Sequence, residues 1–186
     1  MSKKALISVS DKSQLDNLLK FLLTQDYEFI STGGTAKYIK SLGYAVQEVS
    51  ELTNFPEMLG GRVKTLHPKV LGGILARRDH ELDLSELAQN QIEQIDLVVV
   101  NLYPFQQVIT APQSVFAEAI ENIDIGGPTL LRSAAKNFQS ITVLSNPAQY
   151  EVFIEQTQKY GSQSNQMLDL KEKLAIAVCQ ECAGYD

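Results

Sequence analysis

Ser31-Thr32-Gly33-Gly34-Thr35 has the composition of a phosphate cradle. Glycines let a backbone turn sharply and approach an anion closely. The helical pattern that follows offers unpaired amides and a favourable dipole, and the hydroxyls add donors. A plain strand–turn–helix junction with Thr35 as N-cap has the same composition. Ser10-Asp11-Lys12 forms a second junction of this kind, with a hydroxyl and a cation, and it too could serve only as a cap. Gly60-Gly61-Arg62-Val63-Lys64-Thr65-Leu66-His67-Pro68 joins two glycines, two cations and a proline without helical or strand periodicity. Loops of this kind lie on the surface, where function concentrates. If extended, this one presents Arg62 and Lys64 on one side; if it is a solvated connector, both are simply exposed.

Asn101-Leu102-Tyr103-Pro104-Phe105 follows the most apolar run of the chain and puts two polar groups, Asn101 and Tyr103, at a strand's carboxyl end. A core tyrosine with a wet hydroxyl would read the same. Asp124-Ile125-Gly126-Gly127-Pro128-Thr129 precedes a helical pattern. Pro128 suits the first helical turn. Gly127 is then the expected N-cap, and Asp124 is left without that structural task. Lys136 reads either as a cation of a site or as a helix C-terminal cation that satisfies the dipole.

The elements that must position these residues follow from periodicity. Ala5–Val9, Tyr27–Ile30, Ala45–Val49, Leu97–Val100 and Ile141–Leu144 read as strands, mostly short and uniformly apolar. Leu15, Leu18, Leu19, Leu22 and Leu23 recur at helical spacing. Further helices are expected over Ala36–Leu42, Asp83–Gln94, Val115–Glu121, Pro128–Lys136, Pro147–Tyr160 and Leu168–Cys182. Strand–helix alternation with continuous apolar strands predicts an α/β fold, a mostly parallel sheet with helices on both faces. Ligands in such folds gather at the carboxyl ends of the strands, where these motifs fall.

The 186 residues suit one domain, spanning 1–186, with a sizeable core. A net charge of −6 argues against a nucleic-acid partner, whose binding rests on basic residues. It leaves room for a small phosphorylated ligand held by a few lysines and amides. No long apolar segment follows Met1-Ser2-Lys3-Lys4, so neither a membrane partner nor a signal peptide is expected, and a cytoplasmic location is the default. Cys179 and Cys182 lack a second ligand pair and a preceding strand, and read as small apolar residues on one helical turn rather than as a redox or zinc motif.

Taken together, SVSDKS, STGGTAK, VSELTNFPEMLGGRVKTLHPKV, GGILARR, NLYPF and ENIDIGGPTLLRSAAKN resemble the IMP cyclohydrolase domain of the bifunctional purine-biosynthesis enzymes, whose second domain is a formyltransferase. The resemblance runs from Ser8 to about Asn146, and its Val49–Val70 and Glu121–Asn137 blocks are the specific ones. It implies a methylglyoxal-synthase-like fold and the closure of 5-formamidoimidazole-4-carboxamide ribotide to IMP. The carboxamide nitrogen attacks the formyl carbon and water leaves. Such a step needs alignment, a positioned base for a weakly acidic proton and a donor or cation for the formyl oxygen. It needs no redox cofactor or Lewis acid, and the two histidines form no metal cluster with other residues at recognisable spacing.

By the same resemblance, Lys64, Tyr103, Asp124 and Lys136 are the catalytic group. Asp124 with Tyr103 would take the carboxamide proton, Lys64 would stabilise the oxyanion, and Lys136 would carry a proton to the leaving oxygen, the two lysines being interchangeable. Asp124 would partly offset the repulsion of the two ammonium groups. Ser10, Asp11, Lys12, Thr32, Gly33, Gly34, Thr35, Arg62, Val63, Thr65, Val100, Asn101, Ile125, Gly126 and Gly127 would contact the ribotide substrate or IMP. No metal or cofactor is implied. A homodimer is implied, with the Val49–Val70 connector reaching a partner, and so is a formyltransferase domain C-terminal to Asp186 in a full-length protein. Two rival readings are a methylglyoxal synthase-type lyase and a non-catalytic nucleotide-sensing module. The first does not account for GGRVKTLHP or IDIGGPTLLRSAAKN, and the second has no need of Lys64, Asp124 and Lys136 together.

Overall fold

Five short apolar runs pair into one sheet in the computed structural model, which describes residues 2–103 and 115–185. The strands are β1 (Lys3–Val9), β2 (Tyr27–Ser31), β3 (Gln47–Glu48), β4 (Leu97–Asn101) and β5 (Thr142–Leu144), in the order β3-β2-β1-β4-β5. Every pairing is parallel, with Ile7 opposite Ser31, Val9 opposite Asn101 and Val99 opposite Leu144. Leu97 to Val100 are all buried, as a strand covered on both faces requires.

The helices are α1 (Leu15–Thr24), α2 (Gly33–Ser41), α3 (Val49–Thr53), α4 (Pro68–Leu75), α5 (Glu81–Gln89), α6 (Phe116–Glu121), α7 (Gly126–Lys136), α8 (Ala148–Tyr160) and α9 (Asn165–Tyr185). Leu15, Leu18, Leu19 and Leu22 of α1 are fully buried against the sheet. α1 packs on β2 and α8, while α7 packs on β4, β5, α4 and α9. From β1 the chain steps outward through β2 to β3, and from β4 it steps the other way to β5. Right-handed crossovers then put the intervening helices on opposite faces. The order reverses between β1 and β4, so the crevice at their carboxyl ends is the place such a fold reserves for a ligand.

Several expected boundaries shift for local reasons. The third strand keeps only Gln47–Glu48, because Glu48 and Glu51 form a reciprocal capping box that turns Val49 into the start of α3. α5 ends at Gln89 rather than Gln94, where Gln91 adopts φ 53° and cannot continue a helix. The Val49–Val70 connector holds α3, a 3-10 turn at Leu59–Gly61 and the start of α4, none of which its composition announced. Both histidines serve helix starts: His67 Nδ1 accepts from Lys69 N at 3.1 Å, and His80 is the N-cap of α5. Cys179 is exposed and Cys182 half-buried on one helix, and both are free. No helix among the described residues is long and apolar enough to cross a membrane. Pro104 and Phe105 of the Asn101–Phe105 motif lie outside the described residues.

Candidate active site

At the β1–β4 reversal, one side chain organises the floor. Asn101 Oδ1 accepts from Ser10 N at 2.7 Å, Ser10 Oγ at 2.8 Å and Asp11 N at 3.0 Å, and Asn101 Nδ2 donates to Asp11 O at 2.9 Å. Ser10 Oγ also lies 2.9 Å from Leu102 O, so its one proton has two acceptors. Asp11 Oδ1 accepts from Ser13 N at 2.8 Å, and the hydrogen bonds from Ser13 hold its carboxyl below the ordinary range. Lys12 Nζ curls onto Ser10 O at 3.3 Å.

The neighbouring wall is the start of α2. The N-cap is Thr32, not Thr35, and no side chain caps the first turn. Thr35 instead sits inside the helix, 5% exposed, where its hydroxyl accepts from Val9 N and donates to Val9 O, both at 3.0 Å. The hydroxyl expected to hold a ligand is therefore fully occupied in locking α2 to the end of β1. Gly33 takes φ +48°, which opens the turn, and a Cβ on Gly34 would meet nothing within 4 Å. The free amides of this turn face open space, and that favours a bound anion.

Lys64 reaches this wall from the connector. Met58 and Val63 pair as an antiparallel bridge, which makes the Met58–Val63 segment a tight loop. Arg62 has helical backbone angles, so Arg62 and Lys64 do not share one side of an extended strand. Arg62 pairs with Glu121 of α6. Lys64 Nζ lies 3.0 Å from Glu57 Oε1 and 3.6 Å from the position of a Cβ on Gly33. Gly61, at φ +95°, leaves room for this pair, since a Cβ there would stand 2.9 Å from Lys64 Nζ. A hollow of about 20 Å³, room for a water, opens between Thr32, Gly33, Glu57 and Lys64.

Thr65 closes the arc toward α7: it is 7% exposed, and its Oγ1 stands 3.1 Å from where Gly126 would carry a Cβ. α7 begins at Gly126 with Ile125 as N-cap, so Gly127 is not the cap. Asp124 does have a structural task, because its Oδ1 accepts from Gly127 N at 2.8 Å and satisfies an orphan amide. A Cβ on Gly127 would collide with that carboxylate and stand 2.7 Å from Leu102 Cδ2. Tyr103, the next residue, is 57% exposed rather than a core tyrosine. Ile125 is exposed at the same rim.

The rim thus gathers Ser10, Asp11, Lys12, Thr32, Gly33, Gly34, Lys64, Thr65, Asn101, Tyr103, Asp124, Ile125, Gly126 and Gly127 from five segments of chain. Val63 lies in the loop that carries Lys64. Val100 is a core side chain, 2% exposed, because uniformly apolar β4 is covered on both faces. Lys136 is not part of the rim. It occupies the last turn of α7, ~15 Å along the axis from Gly126 at 1.5 Å per residue. The next residue, Asn137, donates to Ile74 O at 2.7 Å and Ala76 O at 3.0 Å, and the backbone then enters β5 at its first residue, Thr142. Lys136 therefore stands at the edge of the sheet where strands begin, and within one chain only one ammonium, Lys64, stands near the glycine rim with Asp124. Glu57 was the residue to miss: nothing in its sequence position signals a partner seven residues on, which only the Met58–Val63 loop creates.

Residues 14–129 match the family model described as MGS-like domain, and residues 134–186 match the one described as AICARFT/IMPCHase bienzyme. The chain is 52% identical over 187 residues to the bifunctional purine biosynthesis protein PurH of Trichodesmium erythraeum, and 48% identical over 186 residues to that of Bacillus cytotoxicus. Each alignment takes in 100% of this chain and 36% of the relative, so the chain spans little more than a third of the length of these proteins. The crystal structure of ForH superposes with a TM-score of 0.86 at 35% identity, covering 100% of this chain and 95% of that one. With a family model matched over more than half of its residues and a parallel five-stranded sheet that agrees with it, the chain belongs to the MGS-like domain family.

Proposed function

We propose that this chain is an IMP cyclohydrolase of purine biosynthesis, closing 5-formamidoimidazole-4-carboxamide ribotide to IMP. One observation carries the reading: Lys64 against the Gly33 turn and Asp124 against the Gly127 turn flank the β1–β4 crevice, a cation and a carboxylate on either side of an anion-binding floor. The ribotide phosphate binds the free amides of α2 with Lys12 beside them. The base then lies toward α7. Asp124 accepts the carboxamide proton, assisted by the Tyr103 hydroxyl, while Lys64 leaves Glu57 to stabilise the formyl oxygen. Relatives described as bifunctional PurH and the match to the bienzyme model support this reading. Formylation of the amine precursor by formyl-folate is assigned to the part of those relatives that this chain does not span. Incubating the purified chain with the formamido ribotide is expected to give the ultraviolet spectrum of IMP. Release of methylglyoxal from dihydroxyacetone phosphate, or tight IMP binding without turnover, would replace the reading. Free tetrahydrofolate from amine and formyl-folate would contradict the division of activities.

The chain is further proposed to act as a homodimer. Phe55, Met58 and Leu59 of the connector and Phe116, Ile120 and Ile123 around α6 are exposed, and the Arg62–Glu121 pair ties the two segments together. An apolar surface of this kind is an association site by default. The proton-shuttle role of Lys136 requires this second copy, because Lys136 and Asp124 stand at opposite ends of α7. Mixing Lys136→Ala and Asp124→Asn chains tests it: a shuttle acting between chains restores about a quarter of the sites, one intact site in each mixed dimer. No recovery on mixing would remove Lys136 from the partner's site.

A further inference from the structure

The opposite edge of the sheet holds a larger concavity than the rim. Where the strands begin, a cavity of about 320 Å³ opens between β1, β2, the α7–β5 turn, α8 and the start of α9. That is the lower end of the range for small-molecule sites. Part of its wall is aromatic. Phe21 and Phe153 meet edge to face with centroids 6.1 Å apart, and Tyr27 carries the Lys3 ammonium 5.2 Å from its ring centroid.

The remaining wall is cationic, and its charges are unevenly satisfied. Arg78 is fastened in place, with Nη1 donating to Asp96 Oδ1 at 2.6 Å and Nη2 to Ile95 O at 2.7 Å. Asp96 is thereby occupied, since its Oδ2 also accepts from Lys4 N at 2.7 Å. Asp79, the other carboxylate that lines the cavity, is exposed. Lys3 and Lys171 have no carboxylate at ion-pair distance among the described residues, although both line the space. Burial, and then the Arg78 charge, push the Lys171 ammonium below the ordinary lysine value, as expected of a cation short of solvation. Thr157 Oγ1 is buried in the same wall without a hydrogen-bond partner, which native interiors rarely leave unexplained.

We infer that this cavity binds a small aromatic or heterocyclic anion. Lys171 and Lys3 hold its carboxylate or phosphate, the ring packs against Phe21, Phe153 and Tyr27, and the Thr157 hydroxyl supplies a donor. The site is independent of the rim and of the chemistry proposed there. The competing explanation is that the cations only balance the carbonyl ends of α1 and α8, which finish at this edge.

Titration of the isotope-labelled chain with phenyl phosphate and with benzoate, followed by amide resonances, separates the two. Inorganic phosphate serves as the bare anion and benzyl alcohol as the neutral ring. Saturable shifts are expected at Thr142, Thr157, Met167 and Lys171, with both controls binding more weakly. Lys171→Met should weaken phenyl phosphate about tenfold, the loss of one charge-assisted contact, and Lys171→Arg should recover it. Thr157→Val, which keeps the shape, should weaken it a few fold and stands in if Lys171→Met does not fold. Shifts confined to Ser10, Gly33 and Gly34 would mean that only the rim takes anions. Equal affinity for benzyl alcohol, or variants that lose stability without losing affinity, would equally overturn the inference.

Discussion

The two edges of this sheet handle charge in opposite ways. At the carboxyl edge, α2 and α7 begin, and the donors are backbone amides exposed by Gly33, Gly34 and Gly126. At the amino edge, α1, α7 and α8 end, and the work falls to side chains: Arg78 with Asp96, and Lys4 with Glu28 at 3.1 Å and Glu93 at 3.0 Å. The cause is the parallel sheet itself. Every right-handed crossover returns its helix antiparallel to the strands, so helix starts collect at one edge and helix ends at the other. An anion is met by amides at the first edge and needs lysines at the second. Losses at the carboxyl edge should therefore appear as activity, and losses at the amino edge as stability.

The largest effect is expected at Asp124. Asparagine still accepts from Gly127 N, so Asp124→Asn should keep the start of α7 and its thermal midpoint. Loss of the base should lower kcat by ~10²–10⁴-fold. Turnover near wild type would leave Asp124 with its capping task alone; a fallen midpoint would mean that charge at this helix start is structural. Next comes Asp96→Ala at the other edge. It strands Arg78 and the Lys4 amide, in a pair whose side chains are only 29% and 21% exposed. Denaturant unfolding should show a loss of ~2–4 kcal/mol with cyclisation unchanged per folded molecule. A change of activity without a change of stability would blur the division between the edges.

The smallest effect concerns pH. Burial, and then the Asp96 charge, hold the Tyr27 phenol above its ordinary value. A folded value raised above the unfolded one means the stabilisation is complete below ~pH 10 and falls away as pH rises beyond it. Tyr27→Phe has no phenol to ionise, so its urea midpoint should fall less than wild type between about pH 9 and pH 11. Parallel curves for the two proteins would show that Tyr27 does not set the alkaline limit.

The strands and most helices were legible because burial on both faces leaves an unbroken apolar run, as at Leu97–Val100, and a covered helix leaves a period, as at Leu15–Leu22. The connector was not. Its α3 depends on the Glu48–Glu51 capping box, its loop on the Met58–Val63 bridge, and α4 on Pro68 with the His67 ring, all local polar contacts without a hydrophobic signature. The same blindness applied to Asp124, read as free of a cap and found capping Gly127 one residue from the expected place.

Residue types alone determined that this chain folds as strands and helices in alternation, and that its glycine-flanked polar stretches fall at strand ends. Apolar periodicity and backbone freedom are local properties, carried by each segment before any other is folded. Which groups meet was decided by the tertiary structure. It turned Thr35 inward onto Val9, brought Lys64 to Gly33 and Glu57, and separated Lys136 from Asp124 by the length of a helix. Partners of that kind are chosen by sheet order and helix direction, which join residues as far apart in the chain as Ser10 and Asn101 and part residues only twelve positions apart.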